Sequence, residues 1–425
     1  MATAADLRRR YAIVSGETGG GHTSAANALV WGLGRVDPLS ETLVMPRALE
    51  QAHPLSAALS GVYNHLLRHR PSAVRHDYRL IQRIRPNEWR LFCTLAGRRV
   101  RAHLTPYRPD LIVCVHPMLP HLMGQRLRDL GWLARVPLVV VVTDPCHGFW
   151  RGRAGPDVSL FVVATDGARR QLLEYGVPDW KIRIRGMPVH PKFQGRGAAG
   201  RLAARAALGL HPDRFTVLVN AGSVGGGNMP RILDALVTGG EALRETQIIC
   251  LAGRNDALRA WMHARVARAA FRSVVLPHTS DMDQLMNASD VTISRPGGLT
   301  TFEALTSGLP IVADATTAPM PQEAGTLELI CSEGAAVPLR QFRDAVPTIE
   351  RLRRQPAALG AMRTAAVRLA RPGATLRIAE ELRQIADERA VPEADAVPRR
   401  IRPDARTNGP QETAPRSNAS VRMRS

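Results

Sequence analysis

Lysine is nearly missing from this chain: Lys181 and Lys192 are the only two in 425 residues, although lysine and arginine together number 57. Aromatic residues are scarce as well, at 4%. The five cysteines (Cys93, Cys114, Cys146, Cys250, Cys331) are odd in number and scattered, with no C-x-x-C pair. That pattern speaks against a disulfide scaffold and a zinc site and reads as a reduced, cytosolic protein. No apolar run reaches about 18 residues, and no apolar core follows the arginines of Met1–Arg10, so neither a membrane-spanning helix nor a secretory signal is expected. The want of lysine also matters locally. Gly16, Gly21, His22 and Thr23 have the spacing of a P-loop, but His22 stands where the phosphate-reaching lysine must be.

What is abundant is arginine, and with it a formal charge of +20. Eleven arginines lie between Arg68 and Arg108 against Asp77 and Glu88 alone. Such clustering attracts an anionic surface, either nucleic acid or a bilayer of acidic lipid. No zinc finger, helix-turn-helix or aromatic RNA platform accompanies it, so no specific nucleic acid is expected as a partner. The same segment interleaves Tyr78, Leu80, Ile81, Ile84, Trp89, Leu91 and Phe92 with the arginines. Apolar anchors among guanidinium groups suit a lipid interface. An ordinary surface helix with a solvated basic face is the other reading.

At 425 residues and 45% hydrophobic, the chain is long enough for two α/β domains. The first opens with Tyr-Ala-Ile-Val-Ser15, a glycine turn, and an alanine-rich helix for which Thr23 or Ser24 is the expected N-cap. A helix N-terminus behind a glycine turn suits an anion, although many such turns serve only close packing of helix on sheet. Strands are expected at Thr42–Met45, Asp110–Val115, Val136–Thr143, Val158–Val163 and Ile182–Arg185, alternating with helices, which implies a parallel sheet covered on both faces. Ligands lie at the carboxyl ends of such strands, here His116-Pro117, Thr143-Asp144 and Cys146-His-Gly-Phe-Trp150. A linker is read at Gln194–Gly200.

The second half repeats the plan. Strands are expected at Thr216–Asn220, Gln247–Ala252, Ser273–Leu276, Val291–Ser294 and Leu309–Ala313, with a second glycine turn running to Gly227. The divisions are therefore 1–195, 196–390 and a disordered basic tail over 391–425. Arg295-Pro-Gly-Gly-Leu-Thr300 turns through glycines into a helix whose Gly297, Gly298 and Thr300 can hold a diphosphate. Glu303, one turn later, either accepts hydrogen bonds from a ribose or simply complements the helix dipole. Gln322 and Glu323 are placed to meet sugar hydroxyls.

Several motifs occur in order: Gly19-Gly-Gly-His-Thr-Ser, Val115-His-Pro with His121, Val141-Val-Thr-Asp144, Cys146-His-x-x-Trp150, Gly186-x-Pro-Val, Pro296-Gly-Gly-x-Thr, Glu303-Ala-Leu and Gln322-Glu-Ala-Gly325. From about Ala12 to about Val337 the chain resembles the two-domain glycosyltransferases that form peptidoglycan lipid II. It resembles more closely the monogalactosyldiacylglycerol synthases and the bacterial diacylglycerol glucosyltransferases. Glu17, where an aspartate is usual, is a departure, as is a short loop between Asp144 and Cys146.

The resemblance implies two Rossmann-like domains facing a cleft, the GT-B architecture, and an inverting transfer from UDP-galactose or UDP-glucose to the hydroxyl of diacylglycerol. It assigns Gly297, Gly298, Thr300, Glu303, Gln322 and Glu323 to the UDP-sugar, and Gly20, Gly21, His147 and Trp150 to the acceptor. His22 is the expected general base, with Asp144 as runner-up. No metal or cofactor is expected, since no Asp-x-Asp motif of the metal-dependent kind is read. The implied place of action is the cytoplasmic face of the membrane, peripherally bound. The alternatives are a polyprenyl-diphosphate acceptor and a UDP-GlcNAc 2-epimerase.

Overall fold

The computed structural model describes residues 8–390 apart from 17–19, 53, 70–77, 79 and 81. The expected tail and the glutamate at position 17 lie outside the described residues. Twelve strands form two six-stranded sheets among these residues. The first contains β1 (Arg10–Val14), β2 (Glu41–Met45), β3 (Leu111–Cys114), β4 (Leu138–Val141), β5 (Leu160–Val163) and β6 (Ile182–Ile184), in the order β2-β1-β3-β4-β5-β6. The second contains β7 (Phe215–Asn220), β8 (Thr246–Leu251), β9 (Arg272–Leu276), β10 (Val291–Ser294), β11 (Ile311–Asp314) and β12 (Ala336–Leu339), in the order β12-β11-β10-β7-β8-β9. Every pairing is parallel, from Tyr11 opposite Leu111 to Asn220 opposite Leu251.

The central strands are apolar on both faces because helices cover both, which is why they read as continuous runs rather than alternations. β12 escaped the sequence reading. It is four residues long and carries Pro338, a residue tolerated there because β12 is an edge strand. The strand order reverses between β1 and β3 in one sheet and between β7 and β10 in the other. Parallel sheets bind ligands at such switch points, beyond the carboxyl ends. His22 follows β1 and His116 follows β3; the glycine loop 221–227 follows β7 and the Arg295 turn follows β10.

Two local expectations are corrected. The helix Gly21–Val36 is capped by Gly20 in a left-handed conformation, φ 83°, and neither Thr23 nor Ser24 caps it. Glycine is favoured at that φ and has no side chain to collide with Ser223, whose Oγ lies 2.5 Å from where a Cβ would sit. The linker is shorter than Gln194–Gly200, since the helix Gly197–Ala207 already begins within it.

The two halves are stitched together. The last helix, Ala374–Ala390, follows the second sheet in sequence, yet its Ile378, Ala379, Leu382 and Ala386 pack with Tyr11 and Ile13 on the first and with Leu29 of the helix that follows β1. A division at 196–390 separates this helix from the layer it covers. Gly32 makes the approach possible, its missing Cβ falling 3.1 Å from Ala379. Ala25 of the first half in turn joins the core of Leu299 and Phe302 in the second. Three arginines, Arg201, Arg205 and Arg363, converge on Asp290, which also accepts from the Thr216 N–H. Asp290 thus works as a staple just before β10.

Candidate active site

Groups from both halves line one cleft cavity. His22, Thr143 and Asp144 come from the first half; Gly297, Gly298, Thr300 and Glu323 come from the second. A neighbouring cavity shares Gly21, Gly222, Ser223 and Thr300 and continues to Glu303, Lys192 and His278. The halves touch closely at the Gly298 turn. A Cβ on Gly298 would lie 2.2 Å from the Thr143 carbonyl oxygen, so glycine permits the contact that sets donor turn against acceptor strand.

On the first side, His22 stands in the opening turn of its helix, its Nδ1 3.1 Å from Thr143 Oγ1. The ring meets His116 edge-on at 4.6 Å between centroids. Burial, then the charge of Arg153, lowers the imidazole to about 4, while Asp144 and a hydrogen bond with the Val115 backbone act in the opposite sense. His22 is therefore neutral at physiological pH. In the tautomer that donates from Nδ1, Nε2 keeps its lone pair. Asp144 lies in the same cavity, but its carboxylate is held by the guanidinium of Arg153.

On the second side, the helix Gly298–Thr306 starts at the cavity wall with Gly297 as N-cap and no side-chain cap. Its first N–H groups are thus available to a ligand. Glu303 is buried at 6% exposure and accepts a 2.7 Å hydrogen bond from Ser24 Oγ of the first half. Burial raises its carboxyl to about 7, with Ser24 and Lys192 opposing. Arg295, just before the turn, holds Glu323 through both carboxylate oxygens, at 2.7 and 2.9 Å. Glu323 also accepts from the Met320 N–H, capping the helix Pro321–Ser332. The carboxylate expected on the sugar is thus engaged by a cation, and Arg295 is a cavity residue that sequence reasoning passed over. Its signal was plain: a cation immediately before Pro-Gly-Gly. Gln322 Oε1 is buried with no hydrogen-bond partner among the described residues.

The acceptor residues divide. Gly20 and Gly21 line the cleft. His147 is exposed, 3.4 Å from Glu328, and its ring lies against Gly325 of the second half. Trp150 is buried at 4% exposure and packs against Gly152, with its indole N–H unpartnered among the described residues. Trp150, assigned to the acceptor together with His147, is thus buried where His147 is exposed. The loop Cys146–Trp150 folds inward because Phe149 is fully buried and the Gly148 N–H is taken by Gln171.

A helix from the arginine-rich half reaches across. From Pro54–His69, Tyr63 lines the cavity and Arg68 Nη2 donates to the carbonyls of Val224 and Arg254 at 3.1 and 3.2 Å. The Gly227 N–H returns a bond to Arg68 O. Gly226, at φ 158°, leaves the room: a Cβ there would meet Arg68 O at 2.6 Å. The only Asp-x-Asp in the sequence, Asp281-Met-Asp283, is tied up, since Asp283 pairs with Lys192 and Arg196. Among the described residues no His, Cys, Asp and Glu cluster is arranged to hold a metal.

Residues 22–189 match the family model described as monogalactosyldiacylglycerol (MGDG) synthase. The chain is 27% identical over 398 residues to monogalactosyldiacylglycerol synthase 1, chloroplastic, of Arabidopsis thaliana, covering 90% of this chain and 72% of that one. It is 24% identical over 355 residues to the processive diacylglycerol beta-glucosyltransferase of Bacillus subtilis (strain 168), covering 82% and 87%. The fold is shared with MurG of Acinetobacter baumannii, at TM-score 0.55 and 16% identity over 88% of this chain and 99% of that one. It is shared as well with UDP-GlcNAc 2-epimerase from Neisseria meningitidis bound to UDP-GlcNAc, at TM-score 0.60 and 11% identity over 88% and 100%. The family resemblance carried by the motifs and the GT-B architecture are both borne out; at such identities the solved structures speak to fold alone.

Proposed function

We propose that this homologue of diacylglycerol glycosyltransferases moves galactose or glucose from a UDP-sugar to the hydroxyl of 1,2-diacylglycerol, with inversion and without a metal. The observation that carries the reading is the joining of both halves at one cavity: a neutral histidine on one wall faces an uncapped, glycine-entered helix N-terminus on the other. In the reaction the bond from the sugar's anomeric carbon to the diphosphate oxygen breaks. A bond to the glycerol oxygen forms on the opposite face, and the hydroxyl proton passes to His22. Negative charge grows on the departing diphosphate, where N–H groups of the Gly298 helix and the guanidinium of Arg295 stabilise it. Glu303 holds the ribose after giving up its bond to Ser24. Thr300 adds its hydroxyl to the diphosphate, and Gln322, whose Oε1 has no partner among the described residues, meets the sugar.

Membrane recruitment falls to the arginine-rich segment. Leu80, Ile84 and Trp89 are exposed there, Trp89 at 54%, beside exposed Arg83 and Arg90. An indole among guanidinium groups fits an acidic bilayer, and the cytoplasmic leaflet is the face proposed. No helix among the described residues is long and apolar enough to cross a membrane.

The test is thin-layer analysis of lipid products from the full chain, a panel of UDP-sugars and diacylglycerol in micelles containing phosphatidylglycerol. A glycosyl-diacylglycerol product is expected. Product only on a polyprenyl diphosphate, or conversion of free UDP-GlcNAc to its 2-epimer, overturns the reading in favour of one rival or the other.

A further inference from the structure

Arg153 is 1% exposed, among the largest fully buried side chains of the chain. A lone guanidinium at that depth is costly to bury, so its partners indicate what it is kept for. It sits at the end of a short 3-10 turn, Arg151–Arg153, and is not among the residues that line the cleft cavity. Its Nη2 donates to Thr143 Oγ1 at 3.2 Å and also meets the Asp144 carboxylate. Thr143 Oγ1 is the same atom that meets His22 Nδ1. Nε and Nη1 of Arg153 have no partner among the described residues, so the site is built around that single nitrogen and the charge behind it.

We propose that Arg153 is a positioning residue for His22: it fixes the Thr143 hydroxyl against the imidazole and, paired with Asp144, keeps a positive charge behind it. Arginine only donates, so one lone pair of Thr143 Oγ1 is committed to the guanidinium and the hydroxyl is pinned in place. The ring is thereby anchored at Nδ1, in a residue that lines the cleft cavity. His116, on the loop after β3, packs on the ring; Tyr78 senses Asp144 and donates to the Gly148 carbonyl; Tyr63, Arg68, Arg295 and Glu323 line the same cavity. His116 is itself held neutral, by burial first and then by His22 and Arg153, so among the described residues the charges that act on the His22 imidazole are Arg153 and Asp144. The consequence is a base that stays unprotonated until the acceptor hydroxyl delivers its proton, and that resists idle protonation from water.

The inference rests on His22 as the base, and the experiment separates the two. In the full chain, the His22 imidazole is titrated by NMR, with His22→Gln to assign it. In Arg153→Gln the midpoint is expected to rise from about 4, because the cation is gone and the Asp144 carboxylate is left unpaired. Arg153→Lys, which keeps the charge, is expected to hold the midpoint low. A midpoint in folded Arg153→Gln equal to that of the wild type overturns the proposal, whatever the activity. With UDP-sugar and diacylglycerol, Arg153→Gln is expected to lower kcat by about tenfold or more, to move the acid limb of the pH profile upward, and to leave donor KM within about twofold. If Arg153→Gln fails to fold, Thr143→Val retains the guanidinium and removes the bridge. A lower kcat with unchanged UDP affinity supports the proposal, and an unaltered kcat overturns it. Full turnover in His22→Ala would sink the base assignment instead, leaving the titration result to stand alone.

Discussion

The helices Gly21–Val36 and Gly298–Thr306 begin alike, each after a parallel strand and a glycine turn, each without a side-chain cap, and each facing the same cleft. What they hold differs. The first presents an imidazole that burial and a buried arginine keep uncharged, while the second presents bare N–H groups and, a turn later, a carboxyl that burial pushes up to about 7. An N-terminus is a general anion site only until its neighbours are specified. With Arg153 and His116 packed behind it, the first is suited to receiving a proton; with Arg295 and open glycines, the second is suited to a leaving diphosphate.

The sharpest way to break this comparison is His22→Ala. Turnover is expected to fall by about 10²–10⁴-fold, with UDP affinity measured by calorimetry unchanged. If UDP affinity fell as well, the division of labour between the two turns would be wrong. Gly298→Ala comes next. Its Cβ would press on Thr143 O from 2.2 Å and force the walls apart, and kcat/KM is expected to drop by about 10²-fold, the usual cost of displacing reacting groups by ~1 Å. Glu303→Gln is expected to weaken UDP binding by roughly 10- to 100-fold, the loss of a carboxyl oxygen that accepts from the ribose, with little change in kcat at saturating donor.

The smallest effect lies in stability, and its sign differs between the two walls. The Glu303 carboxyl rises from 4.5 to about 7 on folding, so its favourable contribution is complete below 4.5 and is lost as pH climbs through 7. The His22 imidazole falls from 6.5 to about 4, so its contribution is complete above 6.5 and is lost as pH drops through 4. Urea unfolding of Glu303→Gln is expected to gain on the wild type as pH rises, and that of His22→Gln as pH falls, each by on the order of 1–3 kcal/mol across its window. Parallel curves for either variant would deny that group its shifted titration.

Much of the donor wall was legible before the fold. Gly297, Gly298, Thr300 and Glu303 sit within seven consecutive residues, and a turn that must open a helix announces itself through local spacing. The acceptor wall was legible only in part. His22 was found because a titratable residue replaced a lysine, but the burial of Trp150 was not legible, because no local signal says that its loop folds inward. Likewise the helix Ala374–Ala390 was counted with the sheet it follows, although it covers the other.

The sequence by itself determined the element types, the two parallel sheets and the identity of the groups able to do chemistry. Those follow from periodicities and turn residues a few positions apart. Only the tertiary structure decided the pairings: Ser24 with Glu303, 279 residues away, Arg153 with Thr143 and Asp144, Arg295 with Glu323, and the Gly298 turn against Thr143. Such contacts leave no periodic trace, because they depend on how the two sheets meet or on how the loops within each half fold, and a side chain's charge and reach are fixed only when its neighbours are.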